Sequence, residues 1–304
     1  MIVFSAAEFL SAYSAARFPA TGPATARAAF LVAPRDFSLA AESASDNRYM
    51  AMQAGVDAVR ALGEHAALAA ALRESVPAIV FPGDPAAPDG IFPNNVFGTA
   101  PGRVIVGAMR HGVRRREAQR ADIRAFFADL MHYEIVDLST LPLVAELTGA
   151  LVIDRARGIG YCGLSERCDR AGALAMHDAF GLNLTYCFDL APGEYHANVV
   201  LAQLASRALI VAPDGFAERA AAEAIASVYE PRVLRIDAAQ KAAFAGNAIA
   251  LDAASVWMSA RAAASLEPGQ CRLLADWGFA LRSVDLAEIE KAGGSLRCCV
   301  GEIF

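Results

Sequence analysis

Short apolar runs rich in Val and Ile alternate along this chain with longer, Ala-rich stretches of helical period. Brief β-branched runs between turn residues predict strands, and apolar positions three and four apart predict helices. From Asn95 the pattern predicts strands at Val96–Thr99 and Arg103–Gly107, a helix from about Arg116 to Met131, and a strand at Glu134–Asp137. The order then recurs: strands at Ala150–Asp154 and Ile159–Cys162, a helix over Glu166–Phe180, a strand at Leu184–Phe188. A third unit reads Val199–Ala202, Ala208–Val211, a helix over Phe216–Val228, and Arg232–Ile236. A fourth reads Ala248–Leu251, Val256–Met258, a helical stretch to Trp277, and Leu281–Val284.

The fifth unit is divided between the chain ends. Cys298–Phe304 supplies one strand, and the N-terminal part supplies Ala29–Val32, a helix over about Asn47–Arg73, and Ala78–Phe81. Joining the ends closes a ring and removes exposed sheet edges. The prediction is an α/β fold, a five-bladed propeller of ββαβ units about a pseudo-fivefold axis, closed by the two termini. An open doubly wound sheet is the competing fold, but no Gly-rich phosphate loop opens any of the helices.

Polar residues mark the start of each unit: Asn95, Glu146, His196, Asn247 and Cys298, spaced 51, 50, 51 and 51 residues apart. Equivalent positions of a ring of repeats converge on its axis, so a Glu, a His and a Cys would meet in one pocket. A thiolate attacks electrophilic carbon, an imidazole moves protons, and a carboxylate holds a cationic or polar head group. Taken singly, each has a plain alternative: a packed cysteine, a hydrogen-bonded core histidine, a capping glutamate.

Composition narrows the function classes. With 56% hydrophobic and 20% charged residues the chain has ample core material, unlike a disordered segment. A net charge of −6 argues against nucleic acid and acidic membranes as partners, and Arg114–Arg116, the one basic cluster, reads as a solvated helix start. No basic-then-apolar leader and no membrane-length apolar run are seen. Six scattered cysteines without a C-x-x-C pair suit a reducing cytoplasm. A zinc site from Cys162, Cys168, His177 and His196 fits no usual ligand spacing.

The segments Pro88–Asn95, Glu146–Asp154, Tyr195–Val199, Phe244–Asn247 and Gly293–Cys298, running on to Glu302–Phe304, resemble five signatures of the guanidino-modifying superfamily. They are most similar to its amidinotransferase-like, citrulline-utilisation branch; arginine deiminases and dimethylarginine dimethylaminohydrolases are other members. The resemblance spans residues 28–304, one catalytic domain of the pentein type, and leaves residues 1–27 as an N-terminal extension without a role. It implies Cys298 as the nucleophile that forms a covalent adduct, His196 as general acid and base, and Glu146 as head-group ligand. Arg167 resembles an arginine that holds the substrate α-carboxylate, a pairing suited to the bidentate guanidinium. Asn47, Asp89 and Asn247 fall in pocket motifs, and Cys299, one place past the nucleophile position, is assigned to packing.

Departures from the pattern bear on the substrate. Asn95 and Asn198 stand where arginine deiminases carry aspartates; an amide both donates and accepts, which suits a neutral ureido group. Leu147 replaces a glycine, and Val96 an aromatic residue. The expected activity is hydrolysis of a guanidino or ureido C–N bond in an arginine- or citrulline-type amino acid. It would give ornithine, ammonia and CO2 from citrulline, or from arginine through citrulline. The same cysteine would serve an amidinotransferase, and a non-catalytic binding propeller is the third reading. The covalent route calls for no cofactor or metal. The expected partner is a small amino-acid substrate, and self-association into a homo-oligomer is left open.

Overall fold

The computed structural model describes residues 1–304, which form five separate small sheets with helices between them. The first sheet pairs Phe97–Ala100 antiparallel with Arg103–Val106, and the latter parallel with Glu134–Asp137. The second repeats this with Leu151–Asp154, Ile159–Leu164 and Leu184–Asp189, and the third with Leu201–Leu204, Ala208–Val211 and Val233–Arg235. In the fifth, Ala28–Val32 lies between Gly301–Ile303, antiparallel, and Ala78–Phe81, parallel, so one sheet joins the two ends of the chain.

The fourth sheet departs from expectation: it holds only Ser255–Ser259 and Ala280–Val284. Ala248–Leu251 is not a strand and touches the sheet through one bridge, Ile249 to Trp257. The cause is Asp252, whose carboxylate accepts the backbone N–H groups of Ala254 and Ser255 at 2.7 and 2.6 Å. An aspartate that binds its own downstream backbone makes a turn and ends pairing there.

Helices start and stop where capping chemistry allows. Arg170–Phe180 begins after Asp169, which accepts the N–H of Gly172, and ends at Gly181 in the left-handed conformation. The helix expected from Asn47 runs only over Ala58–Leu72, because Asp57 caps it, and residues 43–57 form an irregular loop. The helix expected at Arg116–Met131 is broken into Gly112–Arg115, Glu117–Gln119, Ala121–Ala125 and a π turn at Phe126–Leu130. Arg114 and Glu117 turn inward as a buried pair and Arg120 is extended, so the helical ladder cannot continue.

Residues 1–27 build onto the second unit. Ile2–Val3 pairs parallel with Leu184–Asp189, and the helix Ala6–Ala15, started by a Ser5–Glu8 capping box, buries Phe9 against Tyr186 and Tyr161. Burying one such ring stabilises by about 2–3 kcal/mol. Phe9 belongs to the largest apolar cluster, which runs through the second to fourth units. No helix is long and apolar enough to cross a membrane.

Candidate active site

The repeat-start residues occupy single helical turns that precede the strands instead of the strand ends themselves. Asn95 ends the turn Pro93–Asn95, Glu146 precedes Leu147–Ala150, His196 precedes Ala197–Val200, and Cys298 lies in Leu296–Cys299. A turn aims consecutive polar side chains inward where a pleated strand would alternate them. Leu147, at the family's glycine position, has φ +22°, a backbone region uncongenial to leucine. Its side chain lies where Gly98 and Gly107 leave room, within about 3.5 Å of the Cβ position of each.

One half of the site is ionic. His196 Nε2 lies 2.8 Å from Glu146 Oε2, both wholly buried, and Arg167 donates to the same oxygen from 3.1 Å. Burial alone would raise the Glu146 carboxyl, but the Arg167 charge and the His196 bond outweigh it and hold the carboxyl well below the usual range. Burial lowers His196 despite Glu146, so the ring is neutral near pH 7. A carboxylate can only accept, which places the ring proton on Nε2 and leaves Nδ1 as the basic nitrogen. That Nδ1 is buried without a partner.

The remaining contacts bear on two assignments. Arg167 donates to Glu146, to both oxygens of Asp46 and to the Ser43 carbonyl, while also lining the pocket described below. Glu146 is held by the protein on both oxygens: Oε2 faces His196 and Arg167, and Oε1 accepts the N–H of Arg110 at 3.3 Å.

The other half is neutral. Asn247 Nδ2 lies 3.3 Å from Cys298 Sγ, and Asn198 Nδ2 is 3.7 Å from it. These amides also donate to the carbonyls of Asn198 and Thr148, which fixes their orientation. Asn198 and Asn247 therefore face the thiol and do not line the pocket, so the substrate argument from asparagines rests on Asn95 alone. Burial raises the Cys298 thiol, with the Asn247 amide acting against it. Cys299 is packed in an apolar cluster.

Beside Cys298 a small pocket, about 280 Å³ with its open mouth included, is lined by Cys298, Asn95, Asp89, Asn47, Arg167, Tyr195 and Arg114, among others. Asp89 Oδ1 and Asn95 Oδ1 are buried without partners. Asp89 is raised by burial, against the Arg114 charge. Gly149 joins the halves: a methyl there would lie 2.7 Å from His196 Cε1 and 2.8 Å from Asn95 Oδ1. The loop 43–57 closes over the pocket, tied down by Asn47 to the Gly293 carbonyl, by Arg48 and Tyr49 to buried Glu194, and by Asp46 to Arg167.

Sequence reading missed Asp46, for which no motif or spacing gave a signal. It misread Arg114, which is 2% exposed, pairs with Glu117 at 2.8 Å and donates to the Phe92 carbonyl at 3.1 Å. The helical signal was Arg114 and Glu117 three apart, a pair that can fold inward as readily as lie in solvent. Cys162 and Cys168 are 3.6 Å apart at sulfur, but His177 binds Thr185 elsewhere, so the four zinc candidates do not converge.

Comparison with known proteins places this arrangement. The N-terminal domain of ArgZ, an arginine dihydrolase from the ornithine–ammonia cycle in cyanobacteria, solved with substrate, superposes with a TM-score of 0.78 at 18% identity, covering 91% of this chain and 97% of that domain. Unliganded AgrE gives 0.78 at 19% identity over 91% of this chain and 39% of its own, so this chain spans well under half of that protein. A dimethylarginine dimethylaminohydrolase bearing a 4-chloro-2-hydroxymethylpyridine adduct gives 0.69 at 19% identity, over 91% and 99%. No curated protein sequence matches the chain. The family model described as N,N dimethylarginine dimethylhydrolase, eukaryotic, matches residues 33–304. The chain belongs to that family of guanidino-modifying enzymes and is a hydrolase acting on C–N bonds.

Proposed function

We propose that this protein hydrolyses the guanidino group of arginine and then the ureido group of the resulting citrulline, with Cys298 as nucleophile. As the thiol adds to the side-chain carbon its proton passes to His196 Nδ1, which delivers it to the departing nitrogen; Nδ1 then takes a proton from the attacking water, the C–S bond breaks with its electron pair on the sulfur, and Glu146 keeps the imidazole oriented. Asn198 and Asn247 aim N–H groups at the sulfur and favour its thiolate. The carrying observation is the pair of unpartnered acceptors, Asp89 Oδ1 and Asn95 Oδ1, in the pocket that Cys298 lines. A guanidinium offers N–H donors to both, and a ureido group can use the donating as well as the accepting side of the Asn95 amide. The arginine dihydrolase neighbours are consistent with this two-step reaction.

The same reading takes the five sheets as blades about one axis and residues 28–304 as the catalytic unit. All six cysteines are free thiols, which favours a reducing compartment such as the cytoplasm. Dimethylarginine is the second reading, supported by the family model. Arginine, citrulline and dimethylarginine are to be supplied separately, following ornithine, citrulline, ammonia and dimethylamine, with Cys298→Ser as control. Ornithine from both arginine and citrulline supports the proposal. Citrulline as the end product of arginine would make it a deiminase, and dimethylamine release alone would select the second reading.

A further inference from the structure

The turn that carries Cys298 follows Gly293 and Gly294, and glycine is the least constrained residue a backbone can have. Packing demands both glycines. A methyl on Gly293, whose φ is +76°, would lie 2.5 Å from Asn47 Nδ2, and one on Gly294 would lie 2.8 Å from the Phe92 ring. The loop therefore needs a hold from outside its own side chains, and Glu290 supplies one. Its Oε1 accepts the Ser295 hydroxyl at 2.6 Å, across the two glycines, and both residues are buried. The Ser295 carbonyl in turn accepts the N–H groups of Cys298 at 3.0 Å and Cys299 at 3.3 Å. The Ser295 backbone N–H is directed at the Cys298 sulfur, where it opposes the burial that raises the thiol.

Glu290 is approached from a second direction. Its Oε2 makes no hydrogen bond and lies 3.7 Å from Arg261 Nη1. Arg261 donates to the Ala242 carbonyl at 3.0 Å, and its guanidinium carbon stands 5.9 Å from the centre of the Phe244 ring. The Phe244 carbonyl accepts the N–H of Asn247, the residue whose amide lies 3.3 Å from Cys298 Sγ. Ser259 and Cys299 complete the surroundings of Glu290, and burial raises its carboxyl against Ser259, Ser295 and Arg261. Glu290 does not line the substrate pocket, so its contacts bear on the nucleophile through Ser295 and not on the substrate.

We propose that Glu290 is a positioning residue for the nucleophile: by clamping Ser295 across the Gly293–Gly294 loop it fixes how the Ser295 N–H meets the Cys298 sulfur. The inference rests on Cys298 being the nucleophile. Without the clamp the glycine loop samples many backbone conformations, and in most of them that N–H no longer points at sulfur, so the thiolate loses one of its few donors. The clamp needs only an acceptor oxygen, so a glutamine serves there as a glutamate does.

The test compares Glu290→Ala, Glu290→Gln and Ser295→Ala in the full chain. Two quantities are measured: the pH profile of iodoacetamide alkylation at Cys298, located by peptide fragmentation, and kcat and KM with arginine. In Glu290→Ala the profile is expected to move up by about one pH unit, and kcat to fall about tenfold with KM within about twofold of the wild type. Ser295→Ala, which keeps the carboxyl beside Arg261, is expected to match it and carries the test should Glu290→Ala fold poorly. Glu290→Gln is expected to restore both quantities. A folded Glu290→Ala or Ser295→Ala protein that is less stable but keeps the wild-type profile and kcat would overturn the clamp, as would a Glu290→Gln protein that behaves like Glu290→Ala. Turnover that persists once Cys298 is fully alkylated would instead sink the nucleophile assignment, whatever Glu290 does.

Discussion

The two halves of the site are built on opposite principles. Around His196 lies a closed set of charges, Glu146, Arg167 and Asp46, in which every acceptor oxygen and guanidinium face has a protein partner. Around Cys298 lie only amides, with no charged group in contact with the sulfur. Buried charges tolerate little change, because removing one leaves its partner uncompensated, whereas amide contacts tune reactivity in small steps. The ionic half is therefore rigid and fixes a tautomer, and the neutral half leaves the thiol protonated until something in the pocket favours its ionisation. A substrate guanidinium is such a cation.

That contrast can be broken from either side. The largest effect is expected from Cys298→Ala, with ammonia release falling at least about a thousandfold while the melting temperature hardly moves. Next comes Glu146→Gln, which leaves Arg167 half-compensated and frees the imidazole to turn. Unfolding in denaturant should show a loss of about 3 kcal/mol, and turnover should fall as well. A Glu146→Gln protein as stable as the wild type would show that the ionic half is not a unit. Gly149→Ala pushes a methyl into the seam between His196 and Asn95; turnover should fall about a hundredfold, and unfolding in denaturant should show a loss of about 1–3 kcal/mol. Asn247→Ala is the mildest. Removing one N–H from the sulfur should move the alkylation profile of Cys298 about one pH unit higher, equivalent to about 1.4 kcal/mol. The direction follows from the Asn247 amide, which opposes the burial that holds this thiol above its ordinary value of 9.0; in the ligand-free enzyme the rate of alkylation by iodoacetamide should therefore keep rising with pH beyond that point, and further still in the variant.

Much of the architecture was legible because strand, turn and helix recur at a spacing that side-chain chemistry imposes locally. The strands Glu134–Asp137, Ala208–Val211 and Ala78–Phe81 fall on the residues that periodicity gives them. The fourth unit was not, because a single aspartate converts an apolar run into a turn, and apolar content cannot report that. Equal spacing brought Asn95, Glu146, His196, Asn247 and Cys298 into one region, yet it could not say which way each side chain points. The resemblance implied substrate contacts for Glu146, Arg167, Asn198 and Asn247, but it carried no sign that the first two pair with each other or that the amides of the last two face the sulfur. Arg114 and Asp46 were missed since long-range pairs leave no local trace. Leu147 shows the reverse: the departure from glycine was visible, but its accommodation by Gly98 and Gly107, each some forty to fifty residues earlier, needed three dimensions.

The sheet that joins the chain ends has a consequence for biosynthesis. Ala28–Val32 emerges from the ribosome before Gly301–Ile303 and waits for it for roughly 15–60 s at ordinary elongation rates of about 5–20 residues per second. Cys298 arrives in the same segment as its partner strand. A nascent chain thus acquires its reactive sulfur and the strand that completes its last sheet together, and a fragment released before that point carries neither.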